Sequence, residues 1–245
     1  MRQTHFFSLF IFCALMMAWP MTAAEQSGKA ASYAGWSHVG SLFILTTPEG
    51  ANLPASAAEE GFPLLVSLNK DFFDFKQAKA NGEDIRFTSV DGAPLVYQIE
   101  QWNVASGTAS IWVRLPTIKG NARQEIKMHW GKTDANSESN GAAVFNESNG
   151  YLSVWHMDDT VKDEVGTLES KNVGTTATAG LIGVARHFGE GQGIFCGDKI
   201  TKLPVGPSPH STEAWFRATA SNGTIVAWGN DQDRKSTRLN SSHSS

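Results

Sequence analysis

Asp84 to Trp130 reads DIRFTSVDGAPLVYQIEQWNVASGTASIWVRLPTIKGNARQEIKMHW, four runs of alternating apolar and polar residues separated by turn residues. Period-two alternation puts every second side chain on one face of a strand. In Asp84 to Thr88 this turns Ile85 and Phe87 inward. Asp91-Gly92 is a hairpin-type dipeptide, Leu95 to Trp102 alternates again, and Ser106-Gly107 turns the chain once more. In Ala109 to Leu115 the inward set is Ile111, Val113 and Leu115, with Trp112 and Arg114 on the other face. Pro116 is expected to stop that strand, since proline cannot donate to a ladder. Gln124 to Trp130 closes the set, with Ile126, Met128 and Trp130 inward and Lys127 and His129 outward. Strands at this spacing, with no long helical pattern, predict an all-β antiparallel sandwich.

Upstream, Gln26 to Gly40 is small and polar around Tyr33 and Trp36, and a strand opens at Trp36 and runs through Leu45. Pro48 to Ala58 reads as a loop and Phe62 to Leu68 as the next strand. Phe72, Phe75 and Lys79 sit at helical spacing, so Asp71 to Ala80 is expected to form a short helix or turn that Asn81-Gly82 ends. Downstream, Thr133 to Asn149 is polar and reads as a linker or long loop between domains, with Val144-Phe145 as a small anchor onto the first domain. Gly150 to Asp163, GYLSVWHMDDTVKD, reads as a further strand. Tyr151, Ser153, Trp155 and Met157 would share one face, Leu152, Val154 and His156 the other, before an acidic turn at Asp158-Asp159.

The chain has 245 residues, 41% of them hydrophobic, with 23 Gly, which suits a turn-rich globular protein of one or two domains. Met1 to Ala24 reads as a secretory signal: Arg2, then the apolar run Phe6 to Trp19, Pro20, and small residues before Glu25. That run is short for a membrane span. Asp233 to His243, DRKSTRLNSSH, resembles a translated sequencing adapter, so 233–245 is read as a non-native tail and the natural chain is expected to continue past Gln232. Between those ends there are 16 Lys and Arg and 23 Asp and Glu, a balance of 16 - 23 = -7 against -4 for the whole chain. No basic face exists to neutralise phosphates, which argues against nucleic acid. Cys196 is the one cysteine outside the signal, so no internal disulfide can form there, and it is expected to be a small packed hydrophobe.

Phe62 to Gly131 carries Gly82-Glu83-Asp84-Ile85-Arg86-Phe87, Ile111-Trp-Val-Arg-Leu-Pro116 and Met128-His-Trp-Gly131. With these it resembles the bacterial domain of unknown function DUF2341, over roughly Trp36 to Phe145. Gly150 to Gln232 resembles the first half of a concanavalin A-like lectin/glucanase sandwich of the laminin G-like kind. The residues that carry this are Tyr151 to Asp158, Val161 to Asp163, Gly183 to Phe188 and Thr212 to Arg217. The resemblances imply two antiparallel, jelly-roll-like β-sandwich domains. A signal at 1–24 and an N-terminal segment at 25–35 would precede a first sandwich at 36–145. An incomplete second sandwich at 146–232 would follow, and its missing strands would leave open edges. Such pairs resemble the N-terminal region of MotA/TolQ/ExbB proton-channel family proteins.

Few residues suggest chemistry. A glycoside hydrolase needs two carboxylates facing one cleft. No Glu-x-Asp-x-Glu strand pattern exists, and Asp158-Asp159 would point apart. Nucleophile elbows, phosphate loops and His-Glu-x-x-His are also absent. Asp158, Asp159 and Asp163 form a candidate calcium set, since laminin G-like sandwiches carry calcium at a sheet rim and the ion takes several oxygen ligands. His156 with Asp158 lacks a third zinc ligand, and His129 and His187 stand alone. Of eight Trp, those at 112, 155, 215 and 228 read as strand residues of the core, and Trp102, at a strand end, is the candidate ligand platform.

The expected function is an exported binding or recognition protein, periplasmic or on the cell surface of a bacterium, without catalysis of its own. It would contact a glycan or an envelope protein and need no cofactor beyond calcium. Contact with a membrane would come only through the signal or through segments after Gln232. The alternatives are the periplasmic part of a MotA/TolQ/ExbB-type biopolymer transport protein and, less favoured, a glycan-active hydrolase.

Overall fold

The computed structural model describes residues 33–166, 168–197, 200, 202–205, 208–219, 223–229 and 235–238. The signal reading at 1–24 lies outside the described residues, as do most of the N-terminal segment and most of the tail.

Seven strands build one sandwich: β1 (His38–Leu45), β2 (Ala58–Asn69), β3 (Arg86–Ser89), β4 (Pro94–Leu95), β5 (Tyr97–Asn103), β6 (Thr108–Lys119) and β7 (Arg123–Trp130). They pair antiparallel into a four-stranded sheet, β1-β7-β3-β4, and a three-stranded sheet, β2-β6-β5. The alternation read from the sequence gives the inner faces. Ile85, Phe87, Ile111, Val113, Leu115, Ile126 and Met128 are all buried, together with Tyr97, Val66 and Leu68. Each such side chain contributes about 1.5–3 kcal/mol on removal from water, and they touch as one cluster between the sheets. Glycines with positive φ make the tight turns: Gly92 (φ 85°) between β3 and β4, and Gly107 (φ 68°) between β5 and β6. The helix-like spacing at Asp71 to Ala80 yields a single 3-10 turn, Phe75–Gln77, whose Asp74 side chain accepts the Lys76 N–H.

Two expectations about β6 and its surroundings are corrected. β6 does not stop at Pro116 but runs to Lys119, opposite β2. Arg114 N–H donates to Val96 O on the β5 side. Pro116, two residues on, would direct its missing N–H to that same side, where the chain has already left for the other sheet. Proline therefore costs no ladder bond there. Residues 133–149 are not a free linker either. Ser139 Oγ accepts the Ile99 N–H at 2.8 Å and Asn140 N–H donates to Tyr97 O at 2.8 Å. A short helix, α1 (Gly141–Val144), follows, and Val144 and Phe145 are buried as the expected anchor.

Tyr151 to Met157 does not form the expected strand. Gly150 (φ 86°) and Met157 (φ 60°) turn the backbone at its two ends. Val154 is bonded on both sides by its own loop, its N–H to Asp163 Oδ1 and its C=O from Glu164 N–H. The segment lies as an extended strap on the outer face of β5 and β6, so packing continues across the 145/146 boundary drawn from the sequence. Beyond it come three separate two-stranded sheets. β8 (Lys171–Val173) pairs with β11 (Gly193–Phe195), β9 (Thr176–Ala179) with β10 (Val184–His187), and β12 (Thr224–Trp228) with β13 (Lys235–Arg238). β13 falls within the tail read as non-native. Among the described residues the buried apolar side chains run from Val66 to Val161, so these hairpins share no core. Trp155 and Trp215 lie outside strands, and Trp215, expected in a core, is 85% exposed.

Candidate functional site

The Gly82 to Phe87 motif positions two buried charges. Asp84 accepts the Lys79 N–H on Oδ1 at 2.9 Å and the Gly131 and Lys132 N–H groups on Oδ2 at 2.7 and 3.1 Å. It thereby fixes the exit from β7. Trp36 Nε1 donates to the Asp84 carbonyl at 2.7 Å, which seats the N-terminal aromatic on the same corner. The Arg86 guanidinium, its side chain 5% exposed, donates through Nη1 to Glu83 O, Ile85 O and Tyr97 Oη and through Nη2 to Asn136 O at 2.7 Å. Glu138, 66% exposed, adds an ion pair at 2.9 Å. Asp84 and Arg86 are thus both consumed in holding backbone. They are a structural latch, with neither side chain free to meet a substrate.

The outer face of β2-β6-β5 is covered. Trp112 stacks near the His156 ring, with centroids 6.2 Å apart, and meets Phe145 edge-on at 5.6 Å. His156 Nδ1 lies 3.3 Å from Glu100 Oε2, its Nε2 lies 3.0 Å from Gln98 Oε1, and Trp112 Nε1 also donates to Glu100 Oε2. Burial pushes the Glu100 carboxyl above the usual carboxylate value. His156 and the Trp112 hydrogen bond oppose that shift, and Asp158 and Glu164 add to it. This carboxylate–imidazole pair is enclosed by the strap, and it docks the strap. No sequence signal marked it, because its members lie 56 residues apart on two elements.

The candidate calcium residues do not converge. Asp163 is buried, and its carboxylate accepts the N–H groups of Val154, Val165 and Leu168. Asp158 Oδ1 accepts from Thr160 N–H, Thr160 Oγ1 and Val161 N–H, closing a turn in which Val161 takes φ 46°. Asp159 points outward, 3.7 Å from Arg186. Among the described residues no group of three His, Cys, Asp or Glu is arranged to hold a metal ion. Trp102, the candidate platform, packs into the end of the core instead. Its ring meets Phe73 and Phe75 edge-on and lies over Gly82, where an added Cβ would come within 2.8 Å of it. Its Nε1 is buried and has no hydrogen-bond partner among the described residues. The Cys196 thiol is half-buried, and burial pushes it up, away from reactivity.

Among the described residues the outer face of β1-β7-β3 is open. Val39, Phe43 and Leu45 of β1 project from it, and Arg123 lies 3.7 Å over the Phe43 ring. At its end nearest the N-terminal aromatics a groove of about 350 Å³ is lined by Tyr33, Trp36, Val39, Thr88, Lys127 and His129, among others. That is the lower end of ligand-pocket size, about 300–1,000 Å³. Tyr33 stacks on His129 with centroids 4.5 Å apart and meets Trp36 edge-on at 4.9 Å. His129 Nε2 lies 3.1 Å from Thr88 Oγ1. Burial, then the Lys127 ammonium, draws His129 below the usual histidine value, so at neutral pH it is uncharged. Burial likewise keeps the Tyr33 phenol protonated. The sequence did mark His129 and Lys127 as outward and noted Tyr33 and Trp36. It could not bring the pairs together, because 96 positions separate Tyr33 from its stacking partner, 129 - 33 = 96.

A family model described as a domain of unknown function, DUF2341, matches residues 81–169. The match includes the latch motif and the strap, and it extends past Phe145 to where the strap ends. No curated protein and no solved structure matches the chain.

Proposed function

We propose that this chain is an exported, non-catalytic recognition protein whose first sandwich contacts a glycan of the cell envelope or its surroundings. The observation that carries this reading is the groove on the open face, where Tyr33, Trp36 and His129 present rings beside uncharged hydrogen-bonding groups. Aromatic faces with a few placed polar groups are what a sugar ring requires, apolar C–H on its flat side and hydroxyls on its rim. Three enclosed carboxylates are committed elsewhere: Asp84 and Asp163 to backbone N–H groups, Glu100 to Trp112 and His156. The sequence resemblance of the second half to concanavalin A-like sandwiches, and of the pair to the N-terminal region of MotA/TolQ/ExbB proteins, supports an envelope setting for this reading.

The test is a glycan array probed with the whole chain, with and without calcium. Wild type is expected to bind a subset of glycans. Tyr33→Ala, and Val90→Asp at the groove's exposed rim, are expected to lose that binding while their melting curves stay near wild type. Silence of the wild type on every glycan, or binding untouched by both substitutions, would refute the reading.

A further inference from the structure

The groove carries a charge pattern that narrows its ligand. Among the described residues that line the groove, Lys127 is the one formally charged side chain, and none is a carboxylate. His129 is uncharged at neutral pH, and Tyr33 keeps its phenolic proton. The other cations nearby are already engaged: Arg86 with Glu138 and its backbone acceptors, Lys132 with Asp134 at 3.2 Å. The acids nearby are engaged too, since Glu125 accepts from Ser41 at 2.7 Å and Glu138 faces Arg86. Asp91, in the turn beside Gly92, is the exception and does not line the groove. Lys127, by contrast, enters no ion pair among the described residues. A lone ammonium beside stacked rings, in a chain of formal net charge -4, is a counter-charge without a partner among the described residues.

We infer that this groove selects an acidic sugar, a pyranose carrying a carboxylate such as a hexuronate, with the carboxylate on Lys127 Nζ and the ring against Trp36 and Tyr33. The inference rests on the glycan reading above and specifies its substrate class. One charge-assisted hydrogen bond accounts for roughly tenfold in affinity or more. A neutral sugar would leave the ammonium to water and lose that factor.

The experiment is affinity electrophoresis of the whole chain through gels holding polygalacturonate, its methyl ester, dextran or dextran sulfate. Polygalacturonate is expected to retard the chain roughly tenfold more effectively than its methyl ester. Lys127→Gln is expected to abolish that preference while its melting curve stays near wild type, and Tyr33→Ala to weaken both. Equal retardation by acid and ester, unchanged in Lys127→Gln, would overturn the acidic-sugar inference and leave the glycan reading standing. Dextran sulfate retarding as strongly, and insensitively to Tyr33→Ala, would also overturn it, since charge alone would then explain binding. No retardation by any polymer would remove the glycan reading and the inference with it.

Discussion

Arg86→Met is the sharpest perturbation of the fold. Methionine keeps much of the apolar stem and removes the guanidinium. Four acceptors then lose this donor: the carbonyls of Glu83, Ile85 and Asn136, and the Tyr97 hydroxyl, which keeps the Glu138 N–H at 3.3 Å. Bonds from a charged donor contribute about 1.5–3 kcal/mol each, but water reaches the more open acceptors, so the sum overstates the cost. Leaving a buried acceptor unsatisfied costs about 1–3 kcal/mol, so a loss of about 3–5 kcal/mol is expected for the set. It is a large share of a domain's total stability, about 5–15 kcal/mol. With a urea slope of about 1–3 kcal/mol/M, the midpoint should fall by about 2 M. Tryptophan fluorescence suits the assay, because Trp36 lies 5.6 Å from the guanidinium and reports on this corner. Glu138→Gln is the control. Its partner is buried, but Glu138 itself is largely exposed, so its loss should cost under about 1 kcal/mol. A midpoint for Arg86→Met within about 0.5 M of wild type would refute the latch.

Other consequences follow from the covered face. A chain ending after Glu169 should unfold in one cooperative transition. One ending after Phe145 should be weaker by about 3–5 kcal/mol, since Val161 is lost from the core and Trp112 and Phe145 are uncovered; equal urea midpoints would contradict this. Glu100→Gln reports on pH. Burial raises the folded-state value of this carboxyl, so its contribution to stability is complete below the unfolded value, about 4.3, and fades as pH rises through the folded value. The stability of wild type relative to Glu100→Gln should therefore fall as pH rises above the unfolded value, about 4.3, and a difference that grows with pH would be the wrong sign. Gly82→Ala should destabilise by at least about 1 kcal/mol, read as a lower melting temperature, because φ is 71° and the new Cβ would strike Trp102.

The period-two pattern made the first sandwich legible, because Ile85, Phe87, Ile111, Val113, Ile126 and Met128 each carry their burial in their own alternation. Strand ends were less legible. Pro116 looked like a stop because its effect depends on which neighbour its missing N–H would have faced, and that is a property of topology. Tyr151 to Met157 alternated as well as any strand, yet its backbone bonds were captured by Asp163 and Glu164, and alternation alone does not supply a pairing partner. The resemblance motif marked Asp84 and Arg86 without revealing that they hold backbone. The three aspartates that looked like one cation site turn out to serve three separate local tasks. The groove was least legible, since its stacked pair and its Thr88–His129 contact join positions that only the sheet brings together.

Hydrogen exchange on the whole chain, with and without a glycan that binds it, locates the contact surface. Slowed exchange is expected around residues 33–40, in β1 and in β7 near Lys127 and His129, with the strap and the outer face of β2-β6-β5 unchanged. Protection confined to residues 98–112 and 151–165, with none at the groove, would contradict this placement.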